Sequence, residues 1–440
     1  MSVARRATST LQRAVKALWR ALTAPGGRRA RSAPPAGGDR VRILLLHANG
    51  MGGTIRAVFH LAGYLARTRD VEIVSVIRES AEPFFPVPPG VRIRYLDDRL
   101  GGRNGLLSRL PSALVPKDEA AYHRFTLRTD LALARYVRSV RDGILIGTRP
   151  GLNLIMARFA RPEVVTVAQE HANLASHRPS VRRQIGLWYG RHDAVVTLTA
   201  ADLGTYTRGF ECSGRPRPRV LTRIPNAATP LDGGPSPLTE KTVITIGRLA
   251  HAKGHDMLIK AWAHVAARHP DWTLRIVGDG PRRKPLQESI AAMGLTGRVV
   301  LAGRSRDVAA ELEKASIFVL SSRREGMPLV ILEAMGKGVP VVSFDCPTGP
   351  AELITHGHDG LLVEMGDVRR LADAICTLIE DEELRRRMGA RAVRTAAGYD
   401  LGSIGRQWDR LLTGLAAARR PGTAPRAADA RGAPFRPGAG

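Results

Sequence analysis

The sequence predicts an α/β protein built from two doubly wound, Rossmann-like domains, and three observations carry that prediction. Short β-prone apolar runs alternate with helical patterns. The chain has 440 residues, too long for one ordinary domain. A Pro/Gly-rich run from Pro230 to Pro237, just after Pro225-Asn226-Ala227, reads as a hinge between the two.

The first domain is expected over 41–226, with strands at Val41–Leu46, Val71–Val76, Val91–Tyr95, Ile144–Gly147, Val164–Ala168 and Ala194–Leu198, and Arg219–Ile224 closing it. Residues 97–117 are loop-like and basic, an insertion of the kind that carries specificity. After the hinge at 227–240, a second domain over 241–398 has strands at 242–246, 272–277, 298–301, 317–320 and 339–342. A helix within 399–418 presents Trp408, Leu411, Leu412 and Leu415 and is expected to cross back onto the first domain, and the Arg/Pro/Gly/Ala-rich tail at 419–440 is expected to be disordered.

The net charge of +27 is mostly arginine and fits nucleic acid, an anionic surface or an arginine-biased genome. No aromatic-basic interleaving or zinc-finger spacing accompanies it, so no nucleic-acid partner is expected. Cys212, Cys346 and Cys376 lack metal-ligand spacing and form no even framework, which fits a reducing cytoplasm. Near the start, Leu11, Val15, Leu18, Trp19 and Leu22 recur at helical spacing beside Arg5, Arg6, Arg13, Lys16 and Arg20. Residues 1–22 therefore read either as a basic amphipathic helix on an anionic membrane or as a functionless tail. The segment is too short and charged to span a bilayer and lacks a signal-peptide core. Residues 24–38 read as a linker, and no internal stretch is apolar for long enough to cross a membrane.

The chemistry concentrates at strand ends. Ile317–Leu320 reads as a buried strand running into Ser321-Ser322-Arg323-Arg324-Glu325-Gly326-Met327-Pro328, with Pro328 at the first position of the next helix. Glu325 then stands in the loop and Glu333 in the second helical turn, at the carboxyl end of the sheet where such folds hold ligands. Acidic groups there are also ordinary partners for a helix dipole. The strand Thr242–Ile246 leads into Gly247-Arg248-Leu249-Ala250-His251-Ala252-Lys253-Gly254, with two cations five residues apart. Glycines, cations and a helix N-terminus together suit a diphosphate. Asn49-Gly50-Met51-Gly52-Gly53-Thr54 is a Gly-rich turn without the dinucleotide spacing. His171 follows the strand ending at Ala168, and Arg149 follows that ending at Gly147, where it is expected to contact acceptor or phosphate. Asp97-Asp98 is placed at a loop start and lacks the middle residue of a metal-binding Asp-x-Asp pair, so no metal is expected.

The Glu325-x7-Glu333 spacing, the Arg248/Lys253 loop, Val277-Gly278-Asp279-Gly280-Pro281, Gly303-Arg304 and Gly338-Val339-Pro340-Val341-Val342 occur in that order. Together they resemble the retaining, GT-B-fold glycosyltransferases of family 4, over roughly 40–418 and more strongly in the second half. The resemblance implies a hexosyltransferase that uses a nucleotide diphosphate sugar, UDP-linked, as co-substrate, with no separate cofactor. It makes Arg248 and Lys253 the stabilisers of the leaving diphosphate, assisted by amides of Gly52 and Gly53 and of Gly326, Met327, Pro328 and Leu329. Glu325 would hold sugar hydroxyls, Glu333 ribose hydroxyls, and His171 the donor sugar. Gly278, Asp279 and Arg304 would line the donor pocket.

Thr348-Gly349-Pro350-Ala351-Glu352 departs from the commonest pattern but keeps Gly349 and Glu352, so amides near Gly349 face the diphosphate. With Phe344-Asp345-Cys346-Pro347 it resembles a bacterial subgroup that builds cell-surface polysaccharides, which implies a saccharide, lipid-linked or polymer acceptor on the inner face of the membrane. Cys346 is taken as a packing residue. Glu325 as a nucleophile, an epimerase or phosphorylase of the same fold, and a non-catalytic membrane-docked subunit are the competing readings. The intact Arg248, Lys253, Glu325 and Glu333 set argues against the last.

Overall fold

The computed structural model describes residues 40–102 and 105–418. The expected segments at 1–22, 24–38 and 419–440 lie outside the described residues.

The first domain is a seven-stranded sheet in the order β3-β2-β1-β4-β5-β6-β7. Its strands are β1 (Arg40–His47), β2 (Asp70–Arg78), β3 (Val91–Asp98), β4 (Ile144–Gly147), β5 (Val165–Gln169), β6 (Ala194–Thr197) and β7 (Val220–Arg223). The second is a six-stranded sheet ordered β10-β9-β8-β11-β12-β13. It contains β8 (Thr242–Ile246), β9 (Thr273–Val277), β10 (Val299–Gly303), β11 (Ile317–Leu320), β12 (Val341–Asp345) and β13 (Gly360–Glu364). Every pairing is parallel. Parallel sheets need both faces covered, which is why β4 and β11 are buried at every position. In each sheet the order reverses beside the first strand, between β1 and β4 and between β8 and β11, opening a crevice at the carboxyl ends. The expected pair of doubly wound, Rossmann-like domains is what the chain adopts.

Three local features differ from the sequence expectation. Pro328 is extended (φ −77°, ψ 93°) and caps a helix that begins at Leu329, instead of opening it, while its carbonyl accepts from the Ile331 amide at 3.0 Å. β13 extends the second sheet, and its apolar run Leu361-Leu362-Val363 is too short to read as a strand. β3 runs on to Asp98, so the Asp97-Asp98 pair ends a strand. The buried Asp97 carboxylate is taken by Arg99 at 2.7 Å and Arg128 at 2.8 Å.

The last helix, Leu401–Ala417, packs on the first sheet, not the second. Its Ile404, Trp408, Leu412 and Leu415 join the core of Ile55, Val58, Phe59 and Ala62 from the Gly53–Leu65 helix. Gly405 lies against the Tyr64 ring so closely that a Cβ would sit 2.4 Å from it. Among the described residues no helix is long and apolar enough to cross a membrane. Because Trp408 is almost fully enclosed, Trp408→Ala is expected to destabilise the first domain by about 3–5 kcal/mol. Urea denaturation would show this as a lower unfolding midpoint.

Candidate active site

The phosphate-type loop is shaped by close backbone contacts. Gly247 donates its amide to the Val277 carbonyl at 2.9 Å, Leu249 to Asp279 at 3.0 Å, and Gly278 to Gly303 at 2.7 Å. The ends of β8, β9 and β10 are thereby laced into one rim. Gly278 has φ +147°, and a Cβ there would meet the Gly247 carbonyl oxygen at 1.9 Å, so no other residue fits without displacement. Gly254 (φ +65°) is held as tightly against the Ser321 carbonyl. On the outer rim the Asp279 carboxylate and the Arg304 guanidinium approach to 3.4 Å.

Lys253 and Glu325 meet here. Lys253 Nζ lies 2.7 Å from Glu325 Oε1, and Ser322 Oγ donates to the same oxygen at 2.6 Å. Arg248 is exposed and, among the described residues, pairs with no carboxylate, which leaves its guanidinium available to an anionic ligand. Arg323, which the sequence reading passed over, grips Asp256 with two nitrogens at 2.8 and 2.6 Å and the His251 carbonyl at 2.8 Å. It ties the Lys253 loop to the Glu325 loop.

The two domains touch through these same loops. Asn173 Nδ2, in the first domain, donates to the Glu325 carbonyl at 2.9 Å. A Cβ on Gly326 would lie 2.3 Å from the His171 carbonyl oxygen. His171 Nε2 is enclosed without a partner, and burial pulls the imidazole down to about 4, so it is neutral at physiological pH. Gly53 faces Leu329, with 3.9 Å between a built Cβ and the leucine methyl, whereas Gly52 has open space. Met327 Sδ receives the Asn226 amide from the hinge at 3.3 Å. Gly349 (φ +109°) packs on Pro328, and Thr348 and Pro347 exchange backbone hydrogen bonds of 3.2 Å with Glu325.

Glu333 is buried beneath this loop at 2% exposure, and burial raises its carboxyl above the usual range. Arg56, from the first domain, donates to its Oε1. Glu352 adds a second bridge, with its Oε1 accepting from the Ala200 amide at 2.8 Å and forming an ion pair with Arg223 at 2.7 Å. The sequence reading gave Arg56 no role. Its signal is a cation in the first turn of a helix, where the dipole disfavours one.

One other residue is fixed by its partner. The Arg149 guanidinium is committed to Glu119 at 2.6 and 2.9 Å, an internal ion pair in place of the expected acceptor or phosphate contact. The buried Cys346 thiol is pushed up to about 12 by burial and is inert.

Residues 232–395 match the family of glycosyl transferases group 1. An exopolysaccharide phosphotransferase of Streptomyces coelicolor is 38% identical over 400 residues, covering 86% of this chain. The chain spans only 41% of the length of that relative. The amylovoran biosynthesis glycosyltransferase AmsD of Erwinia amylovora is 26% identical over 387 residues, covering 85% of this chain and 99% of its own. Among solved structures, TarM of S. aureus in complex with UDP has a TM-score of 0.69 at 16% identity, covering 85% and 99% of the two chains. Anabaena HepE with UDP and glucose gives 0.67 at 19% identity, with the same coverage. The family match and the fold neighbours together support a GT-B glycosyltransferase. Its relatives include proteins of polysaccharide biosynthesis.

Gly326→Ala is expected to push the Glu325 loop and the His171 loop apart. Small-angle scattering would register this as a larger radius of gyration, and an unchanged profile would mean that the loops yield instead.

Proposed function

We propose that the protein transfers a hexose from a UDP-sugar to a saccharide, lipid-linked or polymer acceptor of the cell envelope, with retention of configuration and without a metal. The observation that carries this reading is the Lys253–Glu325 pair among glycine loops at the end of β8 and β11. Arg248, which pairs with no carboxylate among the described residues, stands on the same loop.

In that arrangement Arg248 and Lys253 oppose the charge that grows on the leaving diphosphate, in a site shaped before the substrate arrives. The helix Gly53–Leu65 has no acidic residue in its first turn and no side-chain cap, so its amides at Gly52 and Gly53 remain for phosphate oxygens. Gly326, Met327, Pro328 and Leu329 begin the opposing helix, with Gly349 packed beside it. Gly278, Asp279 and Arg304 line the rim on the base side. Glu325 keeps one oxygen for the sugar hydroxyls while the other accepts from Lys253 and Ser322. A carboxylate neutralised in this way is a poor nucleophile, which favours front-face departure. The anomeric carbon–oxygen bond to diphosphate breaks, the acceptor oxygen bonds to that carbon, and the acceptor proton passes to the departing diphosphate oxygen. Neutral His171 positions the donor and takes no proton.

A second reading comes from the name of the Streptomyces coelicolor relative, a phosphotransferase. Transfer of a sugar phosphate would break the bond between the two phosphates and release the nucleoside monophosphate. Incubation with a panel of nucleotide sugars, with the nucleotide product identified, separates the two. Nucleoside diphosphate is expected from one donor, falling about 100-fold or more in Lys253→Ala and Glu325→Ala. Monophosphate release, or wild-type turnover in either variant, would overturn this proposal.

Membrane contact is assigned to residues 1–22 through their basic amphipathic pattern. Deleting residues 1–38 is expected to weaken sedimentation with anionic vesicles while activity on soluble acceptor persists. Equal sedimentation would reduce the segment to a tail.

A further inference from the structure

Arg56 is the least expected member of the interdomain contact. It sits in the first turn of the Gly53–Leu65 helix, where the dipole works against a positive charge. The helix supplies no acidic neighbour there to offset it. Its guanidinium instead leaves its own domain and donates to Glu333. The Arg56 Nε is enclosed without an acceptor, and the guanidinium lies 5.9 Å from the centroid of the Phe85 ring. The Glu333 side chain is fully enclosed, whereas that of Arg56 keeps about a fifth of its surface in water, so the contact is open to solvent only on the arginine side.

A buried carboxylate without a cation takes a proton, and a protonated carboxyl loses much of its ability to accept two hydroxyl hydrogen bonds. Around the Glu333 carboxyl, burial raises its proton affinity and Arg56 opposes that rise. The Thr229 hydroxyl, from the hinge, also faces it. His60, one turn beyond Arg56, is held in the neutral form by burial and by Arg56 itself, so it adds no compensating charge. Lys337, four residues beyond Glu333, is engaged with Glu313 at 2.7 Å and is not a substitute.

We propose that Arg56 is a positioning residue of the nucleotide site, reaching across from the opposite domain to keep Glu333 ionised for the ribose hydroxyls of a nucleoside diphosphate. The proposal rests on Glu333 being the ribose acceptor. It makes nucleotide affinity and apposition of the domains reciprocal, because Arg56 favours the charged form of the acceptor.

The test is calorimetric titration of the full chain with UDP between pH 5 and 9, for wild type, Arg56→Gln, Arg56→Lys and Glu333→Gln. Arg56→Gln is expected to bind UDP about tenfold more weakly at pH 7. Its acid limb should also move to higher pH, because removing the cation raises the Glu333 proton affinity and the binding-competent carboxylate then forms only at higher pH. Arg56→Lys, which keeps the charge, should keep the limb near its wild-type position, and it guards against misfolding of the glutamine variant. A wild-type profile in Arg56→Gln, or a uniform loss of affinity with an unmoved limb, would overturn the role given to Arg56. Wild-type affinity in Glu333→Gln would overturn the ribose assignment on which it rests.

Discussion

The Glu325–Gly326 turn is the point on which the cleft depends. Its side chain is held by Lys253 and Ser322, its amide by Pro347, and its carbonyl by Thr348 and by Asn173 of the other domain. Gly326 then allows the His171 backbone to approach to a distance that a methyl group would forbid. One short loop therefore fixes the catalytic-type carboxylate, the neighbouring cation and the separation of the two sheets. Each hydrogen bond contributes only about 1 kcal/mol, but a turn with this many partners has little freedom left. That rigidity suits a site that must meet a developing charge without rearranging.

Much of this organisation was legible in the sequence, because the strands are short apolar runs and the special loops carry glycines and charges at their ends. Ile317–Leu320 and Thr242–Ile246 announce buried strands, and the loops after them put Lys253 and Glu325 in the same crevice once the sheet order is known. What stayed hidden was pairing over long range. Nothing local links Arg56 to Glu333, Arg149 to Glu119, or Glu352 to Arg223 and Ala200. Each partnership exists only after the two domains or two distant loops have been brought together. Arg149 shows the converse problem, since a cation at a strand end looks available until a buried glutamate is found beside it. Pro328 marks the finer limit, because a proline can cap a helix or begin it, and the neighbouring backbone decides.

Charge is distributed in the cleft with a clear division of labour. Two cleft carboxylates are each matched by one cation, Glu325 by Lys253 and Glu333 by Arg56. Arg248 has no such match among the described residues. A chain with a net charge of +27 has no shortage of arginines. Specificity for an anion comes from the few that are not already neutralised by a neighbour.

The return of the Leu401–Ala417 helix to the first sheet has a further consequence for how the protein is made. Val58, Phe59 and Ala62 belong to an early part of the chain, yet their apolar surface is completed by Ile404, Trp408 and Leu412. During synthesis from the amino end, the first domain must wait through the whole of the second before its core can close. The second domain, whose strands and helices are contiguous, has no such debt to the future. An interrupted chain would thus carry an unfinished first domain with a greasy groove along one helix, a feature by which quality control can tell a partial product from a complete one.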